Sequence, residues 1–351
     1  MTERQLTYAQ AIREALDLAL ASDPRVFILG QGTPDAAGVF GTTKGLAERH
    51  GARRVVDTPV SESAMTGVAL GAAITGSRPV MTHLRLEFAM LAMDQIVNQA
   101  AKWRYMFGGQ AQAPMVIRMV VGRGWGQGPQ HSQSLQAWFA HVPGLKVIMP
   151  ATPHDAKGML LAAIDDDDPV VCIEHRWLYN ISGPVPEGQY RVPIGVPHRV
   201  RKGDDITVAA TSYMTLEATR AADLLHGEGI GLDVIDIRTL NPFDDGLVVE
   251  SVRRTGRLLV ADTGSRSVGF AAEVVSRIAE QCFSDLVAPP VRVTLPDVPT
   301  PTTRALSNYY YPTMADIANA ARRLVGKEGT APMTRPIDLL DAPDASFTGP
   351  F

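Results

Sequence analysis

Short apolar, β-branched runs that alternate with helical patterns along almost the whole chain constrain this sequence most. The runs are RVFILG, PVMTHL, MVIRMVV, LKVIMP and VVCIEH, and later DITVAATS, LDVIDIRTL, RLLVAD and VRVTL. Between them lie helical stretches such as 63–75, AMDQIVNQAAKWRYM, 216–225 and 270–282. This alternation predicts an α/β architecture of mainly parallel sheets flanked by helices. A chain of 351 residues exceeds one ordinary hydrophobic core, so two domains are expected. The periodicity lapses between Gly183 and Gly203, where Pro184, Pro186, Pro193 and Pro197 fall, a composition suited to an exposed crossing segment. The expected layout is a first domain over 1–182, a linker over 183–203, a smaller α/β domain over 204–326 and a tail over 327–351. That tail carries prolines and little periodicity, as a disordered segment or an arm laid on a partner would.

Composition narrows the partners. With 45% hydrophobic and 20% charged residues and a net charge of -4, the chain lacks the basic excess that nucleic acid or an anionic membrane favours. Cys172 and Cys282 each sit in an apolar stretch, which suits core packing in a reducing compartment and gives no disulfide framework. The N-terminal segment scatters charges through a helical pattern in place of the regions of a signal peptide, so a cytoplasmic protein is expected.

Three stretches could carry chemistry. In DTPVSESAMTGVALGAA a proline-containing turn delivers Glu62 to the start of a small-residue helix, near orphan N–H groups and the positive helix end. On position alone, a capping glutamate and a catalytic one fit equally. Gly67 and Gly71 put a bare stripe on the same helix, suited to tight packing or to a subunit interface. His131 follows a loop with glycines at 122, 124, 126 and 128; the spacing is neither a Walker loop nor a dinucleotide fingerprint, and reads as a mobile active-site loop. The run Asp165 to Asp168 suits a solvated turn, or oxygen ligands for a hard cation.

Glu62, Gly67-Val68 and Gly71-Ala72, together with MDQIVNQAAKWRYMFGGQ, QHSQSLQAWFAHVPGLKV, DAKGMLLAAI and VIDIRTLNPFD, resemble β subunits of the thiamine diphosphate-dependent decarboxylating component of 2-oxoacid dehydrogenase complexes. The resemblance spans about residues 5–325 and includes the pyruvate, branched-chain and acetoin types. It implies a pyrimidine-binding domain followed by a transketolase C-terminal-like domain. It also implies that Glu62 hydrogen-bonds the pyrimidine N1′ and stabilises the imino tautomer that deprotonates the thiazolium. Phe88 would stack on the aminopyrimidine, Leu84 would join it in cofactor binding, and His131 would act on the reacting centre as an acid or base. Related subunits hold a structural potassium at the bend where Ala163, Asp166 and Asp168 fall, largely through backbone carbonyls. A Gly-Asp-Gly motif with a later Asn, which holds magnesium and diphosphate in complete enzymes, is absent; Gly203-Asp204-Asp205 lacks the pattern. The chain is therefore expected to need an α subunit that supplies the magnesium ligands, as an α2β2 heterotetramer.

His83, Arg85 and Glu87 depart from the apolar or amide residues of common relatives, and His83 and Arg85 could hold a carboxylate or polar acceptor. Trp125, Pro129 and the long tail depart as well, in regions that bear on acyl transfer and on docking of a lipoyl-bearing acyltransferase. The acceptor is thus lipoyl-lysine or another small molecule. Two competing readings are a noncatalytic scaffold or regulator that keeps the fold, and a split transketolase-like ketol transferase.

Overall fold

The computed structural model describes residues 4–122 and 127–327. Trp125, two glycines of the loop before His131, and the tail beyond Lys327 lie outside these residues. The chain divides into two compact units, whose boundary falls between Ile194 and Gly195.

In the first unit six parallel strands lie in the order Lys146–Ile148, Val170–His175, Val116–Val121, Arg78–His83, Val26–Gly30, Val55–Asp57. The central strands are buried along their whole length, as strands covered by helices on both faces must be. Helix Tyr8–Ser22 begins with a capping box at Thr7 and Gln10 and buries Ile12, Leu16 and Leu20. It packs against helix Pro153–Asp165, which Thr152 caps and Pro153 starts. The segment AMDQIVNQAAKWRYM is helical but unevenly wound: Met90–Ala92 is 3-10, Asp94–Ala100 is π-helical and Ala101–Met106 is α-helical. The proline-rich stretch after residue 182 stays with this unit as far as Ile194. Ser182–Pro184 pairs antiparallel with Gln5–Thr7, Arg4 donates to the Val185 and Pro186 carbonyls, and Lys157 also donates to Pro186.

The second unit has parallel strands Val291–Leu295, Leu258–Ser265, Ile206–Ala210 and Leu232–Asp236, with His198–Arg201 antiparallel at one edge. Its helices include Tyr213–His226 and Phe270–Cys282. Both cysteines are buried and unbridged. Among the described residues no helix is long and apolar enough to cross a membrane.

Charged side chains lie inside the first core. Arg118, on Val116–Val121, donates from Nε and Nη2 to the two carboxylate oxygens of Glu174 at 2.6 and 2.9 Å, and both side chains are only 1% exposed. Tyr179 donates to Glu174, and Arg118 also donates to Thr42. A bidentate pair with further hydrogen bonds is one of the few arrangements in which two buried charges are tolerated. Removing one partner leaves the other uncompensated, so Glu174→Ala should destabilise the first unit by about 3–5 kcal/mol in urea unfolding. A loss below about 1 kcal/mol, typical of exposed pairs, would show that the pair is effectively solvated.

Candidate active site

The order of the first sheet reverses beside Val26–Gly30: the chain goes from it to Val55–Asp57 on one side and then to Arg78–His83 on the other. Parallel strands direct the following loops outward at their carboxyl ends, and at such a reversal those loops diverge and leave a crevice. Gln31, Thr58, Pro59, Glu62, Thr82, His83, Leu84 and Phe88 line a recess there, with Met65 and Met81. The register sets Gly30 opposite both Asp57 and Thr82. A Cβ on Gly30 would lie 2.5 Å from the Thr82 carbonyl oxygen, so only glycine permits this approach. Asp57 braces the loops by accepting from the Gly32 and Thr58 amides.

Glu62 is the first residue of helix Glu62–Ile74 and is 8% exposed. Its hydrogen bond among the described residues comes from the Gln31 amide at 3.4 Å, and no backbone N–H of its helix occupies it. The carboxylate therefore does not serve as a helix cap and keeps acceptor capacity for something in the recess. The Thr82 hydroxyl is buried there without a hydrogen-bond partner among the described residues. A buried hydroxyl and a carboxylate with spare lone pairs beside Leu84, Phe88 and two methionines match a flat heteroaromatic ring with polar atoms on one edge. The residues present thus fit an aminopyrimidine. Gln31 and Thr82 were not apparent from the sequence, since neither lies in a motif and both arrive through strand pairing.

His83 and Arg85 are both buried but serve different neighbours. His83 ends its strand, and its Nε2 is 3.1 Å from the Thr66 hydroxyl on the Glu62 helix. Burial pushes its imidazole down to about 4, so it is neutral near pH 7. Arg85 is the residue before the short helix Leu86–Ala89, and its Nη1 donates to the carbonyl oxygens of Gly122 and His131. Gly122 itself has φ +94, and a Cβ there would lie 2.7 Å from His175. The His131 ring meets the Phe88 ring edge to face, with centroids 5.4 Å apart. Glu87 accepts from the Gln133 amide at 2.6 Å. Glu62, Leu84 and Phe88 thus share one recess, and His131 reaches it through contact with Phe88.

Ala163, Asp166 and Asp168 lie at the amino end of strand Val170–His175, the opposite edge of the parallel sheet. The acidic run is matched by basic side chains: Lys146 bonds Asp166 at 2.6 Å, Arg104 pairs with Asp168, and Arg78 pairs with Asp167. Arg78 also donates to the Ile164 and Asp166 carbonyls, and the Ala163 carbonyl accepts from the Asp166 amide. Protein side chains thus offset the charge of the run. No group of three or more His, Cys, Asp or Glu side chains among the described residues is arranged to hold a metal ion.

Residues 4–182 match the family model for the transketolase pyrimidine binding domain, and residues 195–317 match that for the transketolase C-terminal domain. The chain is 45% identical over 330 residues to the acetoin:2,6-dichlorophenolindophenol oxidoreductase subunit beta of Cupriavidus necator, covering 91% of this chain and 97% of that protein. It is 41% identical to the pyruvate dehydrogenase E1 component subunit beta-2, mitochondrial, of Oryza sativa subsp. japonica, covering 91% and 86% respectively. Among solved structures, a split gene transketolase described as an inactive beta4 tetramer superposes with a TM-score of 0.72 at 25% identity, covering 92% of this chain and 99% of that one.

The state of His83 has a consequence for stability. Below its ordinary value near 6.5 the unfolded chain takes up a proton that folded His83 refuses until about pH 4. Acidification through that window therefore favours unfolding, and above it the residue imposes no such penalty. His83→Asn should flatten the loss of stability between pH 6.5 and 4 by up to about 3 kcal/mol. Urea unfolding at a series of pH values measures this; an unchanged slope would show that His83 titrates alike in both states.

Proposed function

The chain belongs to the family of transketolase-type proteins that includes pyruvate dehydrogenase and acetoin oxidoreductase β subunits, and on that premise we propose that it supplies the pyrimidine-binding half of a thiamine diphosphate site. In this reading the enzyme is heteromeric, decarboxylates a 2-oxo acid and passes the acyl group to lipoyl-lysine or another acceptor. The observation that carries it is the Glu62 carboxylate, held by Gln31 in a recess with the unpartnered Thr82 hydroxyl and the apolar Leu84 and Phe88.

When bound, thiamine diphosphate supplies an acidic thiazolium C–H group and an electron sink for loss of carbon dioxide. The chain's own residues then have separable tasks. Glu62 holds a proton at the pyrimidine N1′ edge, with Gln31 fixing the carboxylate's orientation. Thr82 offers a hydroxyl to the same ring, and Phe88 and Leu84 orient its faces and exclude water. His131, set against Phe88, moves a proton at the reacting oxygen or acyl group. Magnesium and the diphosphate are assigned to an α subunit, most simply in an α2β2 assembly. The Glu62 helix supports such a partner: Val68 is 54% exposed, and a Cβ on Gly71 would meet nothing within 4 Å.

The likeness to a split transketolase β tetramer favours ketol transfer as the second reading. Release of carbon dioxide from a 2-oxo acid, as against cleavage of a sugar phosphate, separates the two. Because one relative is named for acetoin, acetoin belongs in the substrate panel.

In the enzyme assembled with its α subunit, Glu62→Gln should lower turnover by about 100-fold or more while the circular dichroism spectrum is unchanged; near-normal turnover would refute the assignment. His131→Ala should slow acyl transfer by a similar factor, about 100-fold, with cofactor affinity retained. An unchanged transfer rate would remove His131 from the chemistry.

A further inference from the structure

We propose that Arg85 and Glu87 are positioning residues that clamp the backbone on both sides of His131 and so fix its imidazole against Phe88. Arg85 reaches back to the Gly122 carbonyl and forward to that of His131 itself, at 2.9 and 2.5 Å. Glu87 accepts the amide of Gln133, two residues further on, at 2.6 Å. Arg85 precedes the helix Leu86–Ala89 and Glu87 lies in its first turn, and Phe88, the next residue, bears on the His131 ring. One short segment of chain therefore holds His131 at three points: by its carbonyl, by the amide two residues later and by its ring.

Their burial argues that this is more than incidental contact. Arg85 is 4% and Glu87 8% exposed, and charges removed from water to that degree are costly unless their hydrogen-bonding directions are used. Here Arg85 Nη1 and one Glu87 oxygen are used on main-chain groups, in a segment that has no regular structure of its own between the short turn Pro129–His131 and the helix Gln136–Ala140. Loop backbone without a ladder opens readily unless side chains satisfy it. Apolar residues at 85 and 87 could fill the space but could not fix the direction of a peptide group. Burial also raises the Glu87 carboxyl above its ordinary value, against the opposing pull of the Gln133 amide, Arg85 and His131. Its second oxygen is buried without a partner among the described residues. An amide in its place would still accept from Gln133, which gives the conservative variant its meaning.

The catalytic consequence rests on the role of His131 proposed above, whereas the clamp itself does not, and the test separates them. Amide hydrogen exchange of the full chain reads the clamp without any activity. Glu87→Ala should speed exchange at the Gln133 amide by about tenfold or more, and Glu87→Gln should stay within about threefold of the unaltered chain. Arg85→Met, which keeps an unbranched side chain but removes Nη1, the donor to both carbonyls, should loosen the segment 130–133 and provides a second probe if Glu87→Ala does not fold. In the assembled enzyme, Glu87→Ala should lower the kcat of acyl transfer by about tenfold with KM and cofactor affinity unchanged, and Glu87→Gln should restore most of it. Exchange that is unaffected at Gln133 by Glu87→Ala and in segment 130–133 by Arg85→Met would overturn the clamp. Faster local exchange with an unchanged kcat would overturn its positioning role. If the unaltered assembly turns over no 2-oxo acid, the functional reading fails while the exchange data still decide the clamp.

Discussion

Parallel pairing of Val26–Gly30 with a strand on either side, Val55–Asp57 and Arg78–His83, forces the loops after these strands to part, and the recess exists because of that parting. A parallel sheet collects the carboxyl ends of its strands along one edge, so residues far apart in sequence arrive together without any local signal. Gln31 follows the first strand, Glu62 begins the helix after the second, and Thr82, His83 and Leu84 end or follow the third. Gly30 allows the closest approach. Anything that shifted the register by one residue would exchange the inward and outward side chains of a strand and dismantle the site.

Charge has been buried in this unit for two different ends. Arg118 and Glu174 cross-link adjacent central strands through a closed bidentate pair supported by Thr42 and Tyr179. Fully buried Lys157 similarly joins Glu14 to the proline-rich segment that follows the sheet. These interactions tie secondary structure together. Arg85 and Glu87 act on loop backbone instead, next to the side chains proposed to do chemistry. His83 stands between the two roles: it is neutral, bonded to Thr66, and links the strand end to the Glu62 helix.

Much of the architecture was legible because local pattern and tertiary burial agree. Helix 270–282 has the same bounds in sequence and structure, and the helix read from Ser63 begins one residue earlier, at Glu62. What could not be read was set by distant segments. The uneven winding of residues 90–106 has no proline or glycine to announce it. The convergence of Lys146, Arg104 and Arg78 on the run Asp165 to Asp168 from three other elements could not be read from the run itself. Glu62 was equally a cap or a catalytic group on position alone; its hydrogen bond comes from Gln31, with none from the N–H groups of its own helix, which is not the arrangement of a cap. The opposite surroundings of His83 and Arg85 depend on where a strand ends, which sequence periodicity does not fix to the residue.

This chain is proposed to hold half of a cofactor site. Calorimetric titration of thiamine diphosphate with magnesium, into the isolated chain and into the chain assembled with an α subunit, tests it most directly. Saturable binding is expected to the assembly and none to the chain alone. Tight binding to the isolated chain, or none to the assembly, would contradict it.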